Sequence, residues 1–427
     1  MNEEPLKELA KGFRKRTWVT AKLATRMGMK MAKRTFIGAS EAKADEQKAV
    51  EAAKQWVTQI GALKGLAMKV GQMASYLPGA LPEAAQDVLA QLQAESTAMA
   101  WDEVAKVIRA ELGAEPDALF DDMDPKPFAA ASIGQVHRAR FEGREVVVKV
   151  QYPGIEDLMR SDMKTIGMMA RMSTVGTASD GKALAEELAA RILEECDYER
   201  EAENQKLFRE LLGDVPTIVD ARSTKRVITS ELVEGMRFAA FVESASHDAK
   251  DRAGERIFDA CFRVLFRHAV FNGDPHPGNY LFGEDGRVTF LDFGCVRRFD
   301  PAMIDQWKRA ALTILDDDLE GFKTEWGKLG FVPNPKKFDW DYQWRAVQDL
   351  YLPLKTPGFR FTDDYVQNSY GLQVFDNPNK MKLRMGPEWL LLNRLQWGLY
   401  AILAKLDAAG DWPTLFRASV ESPTDPK

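Results

Sequence analysis

The stretch Asn272-Gly273-Asp274-Pro275-His276-Pro277-Gly278-Asn279 is the most informative part of this chain. Thirteen residues after it, the apolar run Val288 to Leu291 ends in Asp292-Phe293-Gly294. An Asp, an Asn five residues further on and a second Asp after a strand supply the oxygen atoms that hold magnesium and nucleotide phosphates at a phosphotransfer site. Asp-Phe-Gly alone also occurs in ordinary turns, so the upstream loop gives the pattern its specificity. The sequence therefore predicts a nucleotide-binding phosphotransferase or ATPase.

Each of these residues has an expected task. Asp274 would orient or deprotonate the attacking hydroxyl or water, as a carboxylate does in such sites. Asn279 and Asp292 would bind Mg²⁺, because this hard cation prefers oxygen ligands. His276 is interpreted as a residue that packs the loop and not as an acid or base.

The composition indicates an ordinary globular chain. Of the 427 residues, 45% are hydrophobic and 29% are charged, which suits two or three domains. Cys196, Cys261 and Cys295 are spaced for neither a disulfide framework nor a zinc site, which favours a reducing compartment. We expect a cytoplasmic chain without a secretion signal or a transmembrane segment.

Residues 1–40 are predicted to form a basic amphipathic N-terminal segment. From Lys7 to Arg34 there are ten Lys or Arg residues against one acid, Glu8, although the whole chain has a net charge of -6. A helix here would carry basic residues beside an apolar stripe and could lie on an anionic membrane surface, which would make the chain peripheral to the membrane. The alternative is a solvated helix packed on its own protein, and a nucleic-acid partner is not expected. The apolar stripe consists of Val19, Leu23, Met27 and Met31.

Residues 41–124 are predicted to be a helical accessory region, and strands begin in the next part, residues 125–235. Gln135 to Phe141 and Glu145 to Val150 are β-prone runs joined by Glu142-Gly143-Arg144, which predicts a hairpin. Lys149 lies in the second run. A lysine in a strand is usually an edge or solvent-facing residue, but its place between a hairpin and a long helical pattern favours a contact with phosphates.

The helical pattern after Lys149 supplies a partner for it. We predict one long helix from Ala183 to Leu212, on which Asp197 and Glu201 share a face, so that one meets Lys149 and the other points into the same cleft. Glu194 lies on that face as well. The following strand, Arg226 to Val233, leads into a segment that resembles a kinase hinge, where the Glu231 carbonyl and the Val233 amide would contact adenine.

Residues 236–420 are predicted to be mainly helical. Expected helices include Ile257 to Phe271, Pro301 to Leu315 and Trp389 to Ala408, and residues 421–427 are expected to be a frayed tail.

Taken in order, these motifs resemble the UbiB/AarF-type atypical kinases, a family that includes proteins supporting coenzyme Q synthesis. Lys69-Val70-Gly71-Gln72 matches its Lys-x-Gly-Gln motif, and Ala129 to Val136 matches its alanine-rich loop. Glu195-Cys196-Asp197 matches its Glu-x-Asp motif, and Glu201 falls where its lysine-pairing Glu lies. The resemblance implies an α+β, bilobal protein-kinase-like fold. Its N-terminal helical extension would pack over the active site, and its C-lobe would be rich in helices.

The resemblance also implies site residues and ligands. Lys69 and Gln72 would lie near Glu195 and Asp197, where a kinase receives a protein substrate, so lipid or isoprenoid-quinone intermediates are the expected substrates instead. The cofactors would be Mg²⁺ with ATP or ADP. The residues implied for nucleotide contact in the alanine-rich loop are Ala130, Ala131, Ser132, Ile133, Gly134 and Val136.

Two other functions stay open at this point. A non-catalytic, nucleotide-sensing scaffold would use the same cleft without turnover. A small-molecule kinase of the aminoglycoside or choline type has a similar Asp274 to Asn279 loop, but those families lack the Lys-x-Gly-Gln and Glu-x-Asp motifs. The Met-rich amphipathic region could also form a homodimer contact.

Overall fold

The computed structural model describes residues 99–131, 133–157, 159–160, 193–384 and 386–426. The expected basic segment 1–40 and most of the accessory region lie outside these residues, and so do Lys69, Gln72 and Ser132. The predicted packing of an N-terminal extension over the active site therefore also falls outside them.

The first lobe is built on a five-stranded antiparallel sheet. Strands β3 and β4 form its long central hairpin, and β5 lies beside β4. Val146, Val148 and Val150 of β4 face a core shared with the first helix, so the alternate residues, Lys149 among them, face the opposite side of the sheet. The elements of this lobe are α1 (Trp101–Leu112), α2 (Pro116–Leu119), β1 (Asp122–Met123), β2 (Ala129–Ala130), β3 (Gly134–Phe141), β4 (Arg144–Gln151), α3 (Tyr198–Leu212) and β5 (Val227–Glu231).

The β3–β4 hairpin forms as the sequence predicts. Glu142 and Gly143 make the two-residue turn with φ values of 50° and 74°. Positive φ at both turn residues matches the right-handed twist of the flanking strands, and glycine adopts it without strain. The register pairs Val136 with Lys149, so these two side chains share a face of the sheet.

The long helix expected from Ala183 to Leu212 is interrupted, and that prediction is wrong at one place. The chain turns at residues 195–197, and α3 begins only at Tyr198. Asp197 is the N-cap, and its side chain accepts a hydrogen bond from Arg200 N. The first backbone N–H groups of a helix have no partner within the helix. The Asp197 side chain accepts from one of them, which favours a helix start at Tyr198. Asp197 and Glu201 therefore do not share a helix face.

The second lobe is mainly helical, as expected, and has an extensive aromatic core. Phe262 and Phe266 of α5 both pack edge-to-face on Phe416 of the last helix, and Phe258 lies against Trp412. Two short antiparallel ladders, β6 with β9 and β7 with β8, support the loops of the site. The helices are α4 (Phe238–Ser244), α5 (His247–His268), α6 (Pro301–Leu315), α7 (Leu319–Lys328), α8 (Trp340–Leu350), α9 (Asp363–Tyr370), α10 (Pro387–Leu406) and α11 (Trp412–Glu421), and the strands are β6 (Val270–Asn272), β7 (Tyr280–Phe282), β8 (Val288–Phe290) and β9 (Val296–Arg298).

The segment after α11 is packed on the lobe, so the expectation of a frayed tail is wrong. Asp425 N donates to Arg267 O at 2.6 Å, and His268 Nδ1 lies 2.9 Å from Asp425 O. The buried Lys308 donates to Ser422 O at 2.7 Å. Polar sequence alone does not reveal these contacts, because the partners are backbone carbonyls and a lysine far away in the chain.

Candidate active site

The predicted Asp274 loop forms a tight, internally bonded turn. Asp274 is only 7% exposed, and His276 N donates to its carbonyl. A short 3₁₀ turn, Pro277–Asn279, brings Asn279 back, so that its Nδ2 lies 3.0 Å from Asp274 O and 3.3 Å from Asp274 Oδ2. His276 Nδ1 accepts from Gly278 N at 2.8 Å, and the imidazole therefore helps to shape the loop.

Asp292 lies beside this loop, and backbone contacts fix its position. Leu291 N donates to Asn279 O at 3.0 Å, and Gly294 N donates to Asp292 Oδ1 at 3.0 Å. Asn272 bonds to both sides: its Nδ2 donates to Asp292 O at 2.7 Å, and its Oδ1 lies 3.4 Å from Asp274 N. Asn272 thus connects the backbones at Asp274 and Asp292.

Lys149 and Glu201 form a largely buried ion pair. Lys149 Nζ lies 2.7 Å from Glu201 Oε1 and 3.0 Å from Oε2, and the ammonium also stands 4.8 Å from the ring centroid of Tyr198. Burial alone lowers the pKa of Lys149, but the negative charges of Glu201 and Asp292 outweigh it and hold the pKa above its ordinary value. The amine is therefore charged and fits a role in binding anionic phosphates.

Three acids approach one another at Gly294. A Cβ built on this glycine would lie 3.4 Å from Asp292 Oδ1, 3.8 Å from Glu201 Oε2 and 3.9 Å from Glu195 Cγ. The structure therefore brings Glu195 to the Lys149 and Asp292 side of the cleft. Asp197, two residues on, is engaged in capping α3.

Polar contacts fasten α3 to the segment after Asp292 at two points. Asn204 Nδ2 donates to Phe293 O at 3.1 Å, and Arg298 Nη1 donates to Asn204 Oδ1 at 3.3 Å. Just before the helix, Glu194 forms an ion pair with the buried Arg297. Neither Asn204 nor Arg297 was expected from the sequence, since no local pattern marks a contact over such chain separations.

The alanine-rich loop folds tightly against β4. Ala131 N donates to Gly134 O at 2.9 Å, and β2 pairs Ala130 with Gln135. A Cβ at Gly134 would lie 2.2 Å from Val150 O, so a side chain cannot be accommodated at this position. Ile133 packs its side chain into a small core with Tyr198, and its carbonyl accepts from Tyr152 N at 3.0 Å, so the backbone N–H is its remaining group for a ligand.

The predicted hinge joins the two lobes. Glu231 N donates to Thr217 O, and Leu232 N donates to Glu145 O, which fixes the direction of the chain as it leaves β5. The Glu231 carboxylate accepts from Thr217 Oγ1 at 3.1 Å. Its side chain is therefore occupied, in line with an expected adenine contact through backbone groups of Glu231 and Val233.

The donor set fits a magnesium-bound nucleotide. Because Asn279 Nδ2 bonds to Asp274, the amide oxygen is the atom left to bind a cation together with the Asp292 carboxylate. Over the described ranges, no group of three or more His, Cys, Asp or Glu side chains is arranged to hold a metal ion. A cation here would take its remaining ligands from phosphates and water, as Mg²⁺ commonly does. Within the same ranges, no helix is both long and apolar enough to cross a membrane.

Comparison with known proteins identifies similar sequences and a similar fold. The profile of the ABC1 atypical kinase-like domain matches residues 91–325. The chain is 34% identical over 249 residues to the Arabidopsis thaliana protein Activity of BC1 complex kinase 8, chloroplastic, covering 55% of this chain and 33% of that protein. It is 28% identical over 374 residues to the Saccharomyces cerevisiae atypical kinase COQ8, mitochondrial, covering 83% and 73%.

A solved structure extends the likeness to the fold. The complex of Rv3197 with erythromycin from Mycobacterium tuberculosis superposes with a TM-score of 0.67 at 27% identity, over 91% of this chain and all of the other. Against the curated relatives the overlap is shorter: the chain matches 40% of the length of a Synechocystis protein and 33% of the Arabidopsis one.

Proposed function

Because this chain belongs to the ABC1 atypical kinase-like family, the UbiB/AarF type, we propose that it binds Mg-ATP or Mg-ADP and transfers or hydrolyses the terminal phosphate. The observation that carries the proposal is the buried Lys149–Glu201 ion pair, whose charge environment includes Asp292, the proposed metal ligand. The Asp274 loop is bonded to the strand that leads to Asp292. These are the charged groups that a phosphotransfer site requires.

In this proposal each residue has one task. Lys149 contacts phosphate oxygens, and Glu201 keeps its ammonium in place. Asp274 orients the attacking hydroxyl or water, while Asn279 and Asp292 bind Mg²⁺, which neutralises phosphate charge when it is bound. The backbone of Ala130, Ala131, Ile133 and Gly134 covers the phosphates together with Val136, Ser132 keeps the phosphate contact that the resemblance implies, and the backbone at Glu231 and Val233 binds adenine.

The proposed substrate is a lipid or an isoprenoid-quinone intermediate and not a protein. Support comes from the resemblance set out above, in which Lys69 and Gln72 approach Glu195 and Asp197 at the entrance. The basic residues between Lys7 and Arg34 are consistent with a site near an anionic membrane surface.

The test is phosphate release by the purified full chain, with and without anionic vesicles and quinone precursors. Replacing Asp274 with Asn should lower turnover at least tenfold, because a positioned base contributes about 10² to 10⁴ in rate. Nucleotide binding should stay nearly unchanged. Asp363→Asn, the same chemical change at an exposed position in the first turn of α9, serves as the control and should keep full turnover.

Unchanged turnover in the Asp274→Asn variant would remove this residue from its proposed role. Nucleotide binding without any turnover, with or without vesicles, would favour the nucleotide-sensing scaffold instead. Turnover that rises with quinone precursors but not with vesicles alone would indicate that the precursors act as substrates and that the membrane surface by itself does not activate the protein.

A further inference from the structure

A loop in the second lobe exposes two large apolar side chains. Residues 375–384, here called the Phe375 loop, follow a π-helical turn, Gly371–Phe375. Phe375 is 56% exposed and Met381 82%, and they are two of the four large hydrophobic side chains that are exposed in the described ranges. Lys380 Nζ donates to Phe375 O at 2.8 Å, which ties the residue before Met381 to the backbone at Phe375.

Buried asparagines hold this loop in its shape. Asn379 is fully buried; its Oδ1 accepts from Asp339 N at 2.9 Å, and its Nδ2 donates to Asp339 O at 2.7 Å. Asn377, 1% exposed, accepts from Asn379 N and donates to Gln373 O. The exposure of Phe375 and Met381 is thus maintained by specific hydrogen bonds.

Basic side chains predominate among the charged residues of this region. Lys380, Lys382 and Arg384 are exposed on the Phe375 loop itself. The adjoining loop 333–339, bonded to it through Asn379 and Asp339, adds Lys336 and Lys337, also exposed. Against these five basic residues the two loops carry two acids, Asp339 and Asp376, a net charge of +3 in a chain whose total is -6.

This composition fits a lipid surface better than a protein partner. Interfaces between proteins are depleted in lysine and bury a continuous apolar core. Single exposed apolar side chains accompanied by lysine and arginine are instead typical of segments that rest in the headgroup region of an anionic bilayer. We propose that the Phe375 loop and residues 333–339 form a docking surface for anionic lipid, with Phe375 and Met381 inserted and the five basic residues contacting headgroups.

The experiment measures binding of the full chain to vesicles of phosphatidylcholine with phosphatidylglycerol and to vesicles of phosphatidylcholine alone. The variant Lys380→Gln, Lys382→Gln, Arg384→Gln should lose on the order of a hundredfold in affinity for the anionic vesicles, since each basic residue near such a surface contributes roughly a fivefold factor. The control removes the same charge from the first lobe. Its three changes, Lys126→Gln, Arg140→Gln and Arg144→Gln, should leave affinity roughly unchanged.

The apolar contribution is tested by Phe375→Ser with Met381→Ser, which should weaken binding to anionic vesicles even in high salt, because apolar burial is not screened. The single variant Met381→Ser, at an 82% exposed position, keeps the test valid if the double variant unfolds. Equal affinities for the two charge variants would overturn the proposal. It would also be overturned if the serine variants changed self-association and not vesicle binding, which would assign the surface to a second copy of the chain.

Discussion

The Lys149–Glu201 pair offers a quantitative test of the site. The side chain of Lys149 is 20% exposed and that of Glu201 only 6%, and both carboxylate oxygens contact the ammonium. Removing one partner of such a buried pair costs about 3–5 kcal/mol, because the other charge stays buried without compensation. Glu201→Gln keeps the volume and one acceptor oxygen, and the negative charge of Asp292 remains nearby, so we expect the lower end of this range, about 3 kcal/mol.

The second change shows whether the pair itself carries this cost. In the double variant Lys149→Met, Glu201→Gln, neither member of the pair remains as a charge without its partner, so the two losses should not add, and the coupling free energy should be about 2 kcal/mol. Urea unfolding followed by circular dichroism measures the free energy of unfolding of each variant. The control cycle uses the exposed pair Glu103 and Lys106 of α1, for which coupling should be at most about 0.5 kcal/mol. Additive losses at Lys149 and Glu201 would refute the electrostatic argument.

Three further predictions concern residues around the site. Gly134→Ala should destabilise the protein by about 1–3 kcal/mol in urea unfolding, because the added Cβ meets Val150 O. The control Gly327→Ala, in a helix with open space around it, should be neutral or stabilising. Similar losses in the two variants would contradict the prediction. Burial raises the pKa of the Cys196 thiol to about 11, so this thiol should resist alkylation at pH 8 until the protein unfolds. Because the unfolded thiol loses its proton at lower pH than the folded one, the free energy of unfolding should fall as pH rises from about 9 towards 11. The fall should be smaller in Cys196→Ala, and an equal pH dependence of the two proteins would count against a raised pKa of this thiol. Asn204→Ala should lower the free energy of unfolding by about 1–2 kcal/mol, because it removes the contacts to Phe293 O and Arg298. It should also weaken nucleotide binding, while the circular dichroism spectrum of the folded protein stays nearly unchanged.

Much of the fold could be predicted because its signals are local. The bounds of α6, Pro301–Leu315, agree with the sequence prediction, since Asp300 caps the helix and proline occupies its first turn. The β3–β4 hairpin follows from alternating residues and a turn with glycine. The break at Asp197 was missed because acidic and apolar residues on both sides fit a helical period, although an aspartate is also a strong N-cap.

The residues of the candidate site divide in the same way, into those that a local sequence pattern marks and those that it does not. Asp274, Asn279 and Asp292 could be proposed because their spacing in the chain reflects a loop and a strand. Asn272 and Asn204 could not, since they bond to the carbonyls of Asp292 and Phe293, 20 and 89 positions away. Such contacts depend on how separate elements pack, and a single sequence carries no local mark of them.

The double attachment of α3 has a consequence for motion. Asn204 bonds this helix to Phe293 and Arg298, and Glu194, just before the helix, pairs with Arg297, so the helix and the strand after Asp292 are expected to move together as one body. Lys149 lies on β4 of the first lobe, so rocking this lobe about residues 232–235 to open the cleft would draw its ammonium away from Glu201 on α3 and break the ion pair.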